Sequence, residues 1–370
     1  MKLVRPQVAC RERGNPMRSI CTAVVATLVL VGTSFAATIN VPGDYATIQG
    51  AIDASSNGDV IAIAAGTYYE ANLDTDNKAI TIGSASGNLD VTIDAQQSGS
   101  VFVINSGEGS GTKIKDLVIT GGNATQGGGL YCRISNPTIS DCTLSGNTAT
   151  MLGGGIYCLS SNPTISGCTI EGNTANEGGG IFCWDSNPTI SNCTITGNTA
   201  AARGGGISCL INSSPAISDC TISDNTANEG GGISFISSNP TISNCTISGN
   251  TAYAGGGIFC INSNFTIGGG SVCDNSADQT FVDSYSNFES SLCWIAPSCD
   301  GNPYDFINNQ QEQINQLLTM HDQQQTAIED LQQVVAECCA ARTCTGDENG
   351  DGVVNIEDLL IVISVWGPCP

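Results

Sequence analysis

Gly153-Gly154-Gly155-Ile156-Tyr157-Cys158 opens a unit that continues through Asn162-Pro163-Thr164-Ile165-Ser166 to Cys168-Thr169-Ile170-Glu171-Gly172-Asn173-Thr174-Ala175. The opening returns at Gly178–Cys183, Gly204–Cys209, Gly230–Phe235 and Gly255–Cys260, an earlier copy runs Gly127–Cys132, and the period is 25–27 residues. Each unit holds three short β-type runs separated by Gly, Asn, Pro and Ser, with no room for a helix of ordinary length. Self-similarity at this period marks a solenoid, in which each unit buries its apolar face only against its neighbours. Three strands per unit predict an all-β, right-handed parallel β-helix of about nine to ten coils over residues 37–300.

Successive coils hydrogen-bond at about 4.8 Å, so like residues form columns. Ile165, Ile190, Ile217 and Ile242 form one inward aliphatic column, and Ile170, Ile195, Ile222 and Ile247 another. Asn123, Asn147, Asn173, Asn198, Asn225, Asn250 and Asn275 are expected to form an asparagine ladder, whose stacked amides satisfy one another. Before Asn123 the repeat degenerates but keeps its rhythm. Asp59–Ala64, Ala79–Ile82, Val91–Ile93 and Val101–Ile104 read as strands. Thr47–Ser55 reads as a short amphipathic helix able to cap the open end of the solenoid.

Tyr45-Ala46-Thr47-Ile48-Gln49, Gly58-Asp59-Val60 and Ala65-Gly66-Thr67-Tyr68 resemble the opening of pectin lyase-like β-helix proteins. The Gly-Gly-Gly-Ile and Ile-x-Gly-Asn elements resemble repeats of the chlamydial polymorphic outer membrane proteins. The resemblance covers roughly residues 38–300. It implies the fold rather than one activity, because this scaffold hosts lyases, hydrolases, esterases and adhesins.

Arg18, the apolar run Ala23–Val31 and the small-residue site Ser34-Phe35-Ala36 read as a secretory signal over residues 1–36, with Met17 as an alternative start. The run falls short of the roughly 18 apolar residues of a membrane span, and no second stretch reaches it, so no transmembrane anchor is expected. Five of the 11 Lys/Arg and one of the 34 Asp/Glu precede Ala37, which leaves six against 33 and a formal charge of −27. Such a surface excludes nucleic acid and anionic lipid as partners.

Cys132, Cys158, Cys183, Cys209 and Cys260 share one column, interrupted by Phe235, and Cys142, Cys168, Cys193, Cys220 and Cys245 share a second. Stacked Cβ atoms about 4.8 Å apart lie beyond the roughly 3.5–4.5 Å of a relaxed disulfide. These thiols are therefore expected to be free, buried, apolar fillers, while Cys293–Cys299 and Cys344–Cys369 are the expected bridges.

With Ile156 and Cys158 inward, period 2 turns Tyr157 and Leu159 outward. The outer columns then hold Tyr131, Tyr157, Phe182, Ser208, Ser234 and Phe259 beside Arg133, Leu159, Trp184, Leu210, Ile236 and Ile261, a largely apolar and aromatic stripe. Patches of this kind mark contact with a protein or stacking of a glycan.

Phe306–Arg342 changes to Gln, Glu, Leu and Ala without Gly or Pro. Ile307, Ile314, His321, Ile328 and Val335 fit heptad a, and Gln310, Leu317, Gln324, Leu331 and Cys338 fit d, which predicts a helix or coiled coil over 306–342 that could mediate self-association. In residues 343–370, Asp347, Asn349, Asp351, Val353 (by its carbonyl), Asn355 and Asp358 stand at EF-hand positions 1, 3, 5, 7, 9 and 12, with Gly352 at the turn, and predict a bound calcium. Asp358 in place of Glu, followed by Leu359-Leu360, resembles a dockerin repeat. Dockerins pair two such repeats to bind cohesin and one is present, so cohesin is a doubtful partner.

Glycoside hydrolysis needs paired carboxylates, and elimination needs a base with a cation. Asp141, Glu171, Asp185, Asp219 and Asp224 are scattered over columns that elsewhere hold Gly, Asn, Ser or Thr, and the coils' basic residues, Arg133 and Arg203, occupy non-equivalent positions. No catalytic residue is assigned. The expectation is a secreted or cell-surface, non-catalytic β-helix for adhesion, glycan binding or display, with a polysaccharide or surface protein as partner. The alternative is a polysaccharide lyase or glycoside hydrolase with its site in the irregular N-terminal coils.

Overall fold

The computed structural model describes residues 36–276, 280–282, 287–291 and 294–296. The signal at 1–35, the helical segment 306–342, the calcium loop Asp347–Asp358 and Cys293, Cys299, Cys344 and Cys369 lie outside these residues.

One coil runs Ile156–Leu159 (sheet C), Thr164–Ser166 (sheet A), Thr169–Glu171 (sheet B) and Thr174–Glu177 (sheet D). Among the described residues sheets A, B and C hold 11, 10 and nine strands, every strand pairing between successive coils is parallel, and the expected solenoid is present. Sheet D, with four strands, is a short fourth run that three-strand counting overlooks. Like pairs with like: Cys158 with Cys183, Ile165 with Ile190, Ile170 with Ile195. Between sheets A and B the chain bends at one left-handed residue, Asp141, Asn192, Asp219 or Asn244, at φ of 52–54°. Their short polar side chains tolerate that conformation better than most.

The core is a stack of these inward columns. Leu130, Ile156, Ile181, Ile207, Ile233 and Ile258 are fully buried on sheet C, and the Ile columns of sheets A and B meet them. The helix forms at Ile48–Ala54. Thr47 Oγ1 accepts from Gly50 N at 3.1 Å, and the Glu70 carboxylate accepts from Ile48 N and Gln49 N at 2.7 and 3.0 Å. These acceptors satisfy amides that the first turn leaves unpaired. Ile48, Ala51 and Ile52 enter the core beside the first strands. No helix among the described residues is long and apolar enough to cross a membrane.

The asparagine ladder runs Asn147, Asn173, Asn198, Asn225, Asn250, Asn275. Each Nδ2 of the first five donates to the Oδ1 of the next coil at 2.9–3.1 Å, and also to a carbonyl of the coil before, as Asn198 does to Ile170 O at 2.8 Å. Asn123 is not a member. Ala124 aligns with Ala149, so Asn123 lies opposite Thr148 and is exposed, and Gly122 takes the ladder position, its N–H donating to Asn147 Oδ1 at 2.9 Å. A side chain at Gly122 would run into the Gly128 carbonyl.

All ten cysteines of the two columns are free and buried. Those of the second column donate to carbonyls, as Cys193 Sγ does to Ser191 O at 3.2 Å and Ile165 O at 3.7 Å. Contact with the Cys168 thiol, and then burial, push Cys193 up to about 12. Thiol labelling at pH 8 is therefore expected to spare both columns in the native chain and to reach them only at the rate of unfolding. Rapid native-state labelling would contradict this packing. Cys273 is disulfide-bonded, a bridge the sequence reading did not assign. Since the other ten described cysteines are free, its partner lies outside the described residues.

Candidate functional site

The outer side of sheet C carries two neighbouring columns with different fates. The first is the ring column. Tyr131 stacks on Tyr157 with centroids 5.3 Å apart and planes at 20°, and Tyr157 on Phe182 at 5.8 Å and 9°. These rings point away from the core, as alternation requires, but Tyr157, Phe182 and Phe259 are buried and Tyr131 is half-buried. The glycine turn before each strand folds back over it: a Cβ on Gly178 would sit 2.7 Å from Phe182 Cβ. The expected exposed aromatic stripe is corrected accordingly, because these four rings are internal packing.

Surface remains in the second column. Trp184 is 39% exposed, and Leu159, Leu210, Ile236 and Ile261 are half-buried beside it. Arg133 begins the column and is exposed. The turn that follows each strand adds a feature absent from the sequence reading. Its first residue is left-handed in the six coils from Ile134 to Asn262, and Ser160, Asp185, Ser237 and Asn262 fill it at φ of 49–53°. In two coils the residue is isoleucine: Ile134 at φ 53°, 58% exposed, and Ile211 at φ 44°, 42% exposed. A β-branched residue in this region is a genuine outlier costing about 1–3 kcal/mol. Strain and exposure together at the border of an apolar column mark this ribbon as a contact face.

Before each glycine triplet stands a third column, Gln126, Leu152, Glu177, Arg203, Glu229 and Ala254. Arg203 bridges the coils on either side, with Nη1 3.4 Å from Glu177 Oε1 and Nε 2.8 Å from Glu229 Oε2. Burial pushes the Glu177 carboxyl above the usual carboxylate range, against the pull of Arg203. Glu177 Oε2 has no hydrogen-bond partner among the described residues, and neither do the buried hydroxyls of Ser208 and Ser234, which replace rings in the ring column. Sequence inspection missed this Glu–Arg–Glu stack, although alignment on the glycine triplets places the three side by side. Arg203 stands between the carboxylates and is ion-paired to both, so the space that a reacting bond would need holds a guanidinium. Among the described residues no cluster of three or more His, Cys, Asp or Glu is arranged to hold a metal.

The parallel coils match the family described as "Right handed beta helix region", over residues 74–199 and again over 160–295. The chain belongs to the right-handed β-helix family. No curated protein matches this β-helix. Among solved structures it is similar to pectate lyase Pel9A, at 14% identity over 73% of this chain and 80% of that one, with a TM-score of 0.46. It is also similar to the pectin methylesterase of Aspergillus niger in deglycosylated form, at 16% identity over 72% of this chain and 87% of that one, with a TM-score of 0.39.

Proposed function

We propose that this β-helix is a secreted or cell-surface, non-catalytic protein that works by adhesion or display, with the Trp184 ribbon as its contact face. The observation that carries the reading is the pair of exposed, left-handed isoleucines, Ile134 and Ile211, bordering that ribbon. A solvated turn would be served at lower cost by the Ser, Asp or Asn of the other coils. The ribbon suits a protein surface better than a hydrated polysaccharide. Trp184 is flanked in its column by Leu159 and Leu210 rather than by the hydroxyl-binding groups that orient a sugar. The loop Asp347–Asp358 would add calcium to the same chain, and the resemblance of the glycine-triplet repeats to those of the polymorphic outer membrane proteins supports a surface role.

The second reading, a polysaccharide lyase or glycoside hydrolase, draws on Glu177 and Glu229, two carboxylates two coils apart on one face. Incubation of the purified protein with acidic and neutral polysaccharides in calcium separates the two. No unsaturated or reducing ends are expected. Ends that appear with the native protein and disappear with Glu177→Gln would overturn the non-catalytic reading.

A further inference from the structure

The contact face has a symmetry that names its partner. Its one cation, Arg133, is exposed and enters none of the described ion pairs, which join Lys115 to Asp116 and Arg203 to Glu177 and Glu229. Its carboxylate, Asp185, is exposed and, among the described residues, is held by Ser160 Oγ at 3.3 Å. Arg133 lies one coil before Leu159, and Trp184 with Asp185 one coil after it. Within one chain the two charges are therefore two coils apart, roughly 9.6 Å along the solenoid, too far for a direct ion pair.

We propose that the ribbon binds a second copy of this chain, antiparallel, about a two-fold axis through Leu159. That axis brings Arg133 of each copy over Trp184 and Asp185 of the other. It forms two ion pairs, each with a guanidinium against an indole face, and places Ile134 beside the opposing Trp184. Isologous pairing of this kind needs a patch complementary to itself under a half-turn, and the spacing of Arg133 and Asp185 about Leu159 supplies one. Leu210 and Ile211, one coil further, lie opposite the exposed, polar Asn105 and Ser106 of the other copy, so the apolar contact is centred on Leu159, Trp184 and Ile134. A protein or glycan of other origin has no reason to require equal spacing of opposite charges about one leucine. Salt at 0.15 M screens the chain's formal charge of −27 beyond residue 36 over about 8 Å, so the net charge does not forbid close approach of two copies.

This inference rests on the ribbon being a contact face. Sedimentation equilibrium of the full chain tests it with Arg133→Asp, Asp185→Arg and the double exchange. All three change exposed side chains and leave the core alone. The native protein is expected to be a reversible dimer. Each single exchange should weaken association at least about tenfold by facing like charges, the size of a coupling between close charges across an interface. The double exchange should restore association to within about threefold, again on the scale of such couplings. A native chain that stays monomeric overturns the proposal, as does a dimer that ignores both single exchanges or a double exchange that fails to recover. Product release in the polysaccharide assay would sink the non-catalytic reading and leave this pairing untouched, whereas a monomeric native chain would sink the pairing alone.

Discussion

Replacing Asn198 by aspartate is expected to lower stability by about 4 kcal/mol at pH 7, the range for an uncompensated charge in a protein interior. The substitution is nearly isosteric, so packing does not decide the outcome. Asn198 is fully buried, and its Nδ2 donates to Ile170 O at 2.8 Å and to Asn225 Oδ1 at 2.9 Å. Its Oδ1 accepts from the backbone N and the Nδ2 of Asn173, both at 3.0 Å. A carboxylate keeps the two accepting contacts but sets a charged oxygen against two acceptors. The neutral acid can restore one donor. Burial raises the carboxyl's native pKa above its unfolded value near 3.9, so the folded state binds the proton more tightly. Stability relative to the native protein is then lost as pH rises through that window and regained as pH falls back through it. Denaturant melts at pH 7 and pH 4 check this. Equal losses at both values would show that the buried charge is not what destabilises the variant.

The substitution Gly205→Ala should be nearly as damaging for a geometric reason, costing at least about 3 kcal/mol or preventing folding. A Cβ there would lie 2.5 Å from Gly231 O, 2.6 Å from Thr226 O and 2.7 Å from Thr226 N. All three are backbone atoms of the next coil, which no rotamer change can move. The middle glycine of the triplet is kept because the adjacent turn occupies the place of a side chain. Gly172→Ala is the control, since a Cβ there meets nothing within 4 Å and only its left-handed φ of 60° stands against the change. Thermal melts of the two variants should rank them widely apart. A mild Gly205→Ala would mean that the coils can separate locally.

The same two columns show what a repeat reveals and what it conceals. Ile165 and Ile170 were legible because alternation and period agree, and an aliphatic residue recurs in each column through the regular coils, Leu144 and Val272 standing in for isoleucine at the ends of the second. Asn123 was misplaced because its spacing fits the ladder to within a residue or so, whereas the register is set by Ala124 pairing with Ala149. Alternation correctly turned Tyr157 and Phe182 away from the core. It carries no information on what lies across that side of the sheet, and the folded-back glycine turn hid them. Ile134 and Ile211 look ordinary in sequence, since only φ reveals their strain. Glu177, Arg203 and Glu229 were readable from the glycine triplets but not from the search for carboxylates in neighbouring coils, because a cation separates them.

The regular coils touch only the coils before and after them, and like residues meet at each junction. A duplication of one 25–27-residue unit would therefore bring its own complementary surfaces and need no compensating change elsewhere. Gene-level slippage can lengthen or shorten this molecule one rung at a time. Such a change shifts the distance between Arg133 and Asp185 only if it falls between them. Lineages are thus free to vary the reach of the solenoid while the stretch from Arg133 to Asp185 is held at fixed length, so that variation in repeat number should concentrate after Ile211.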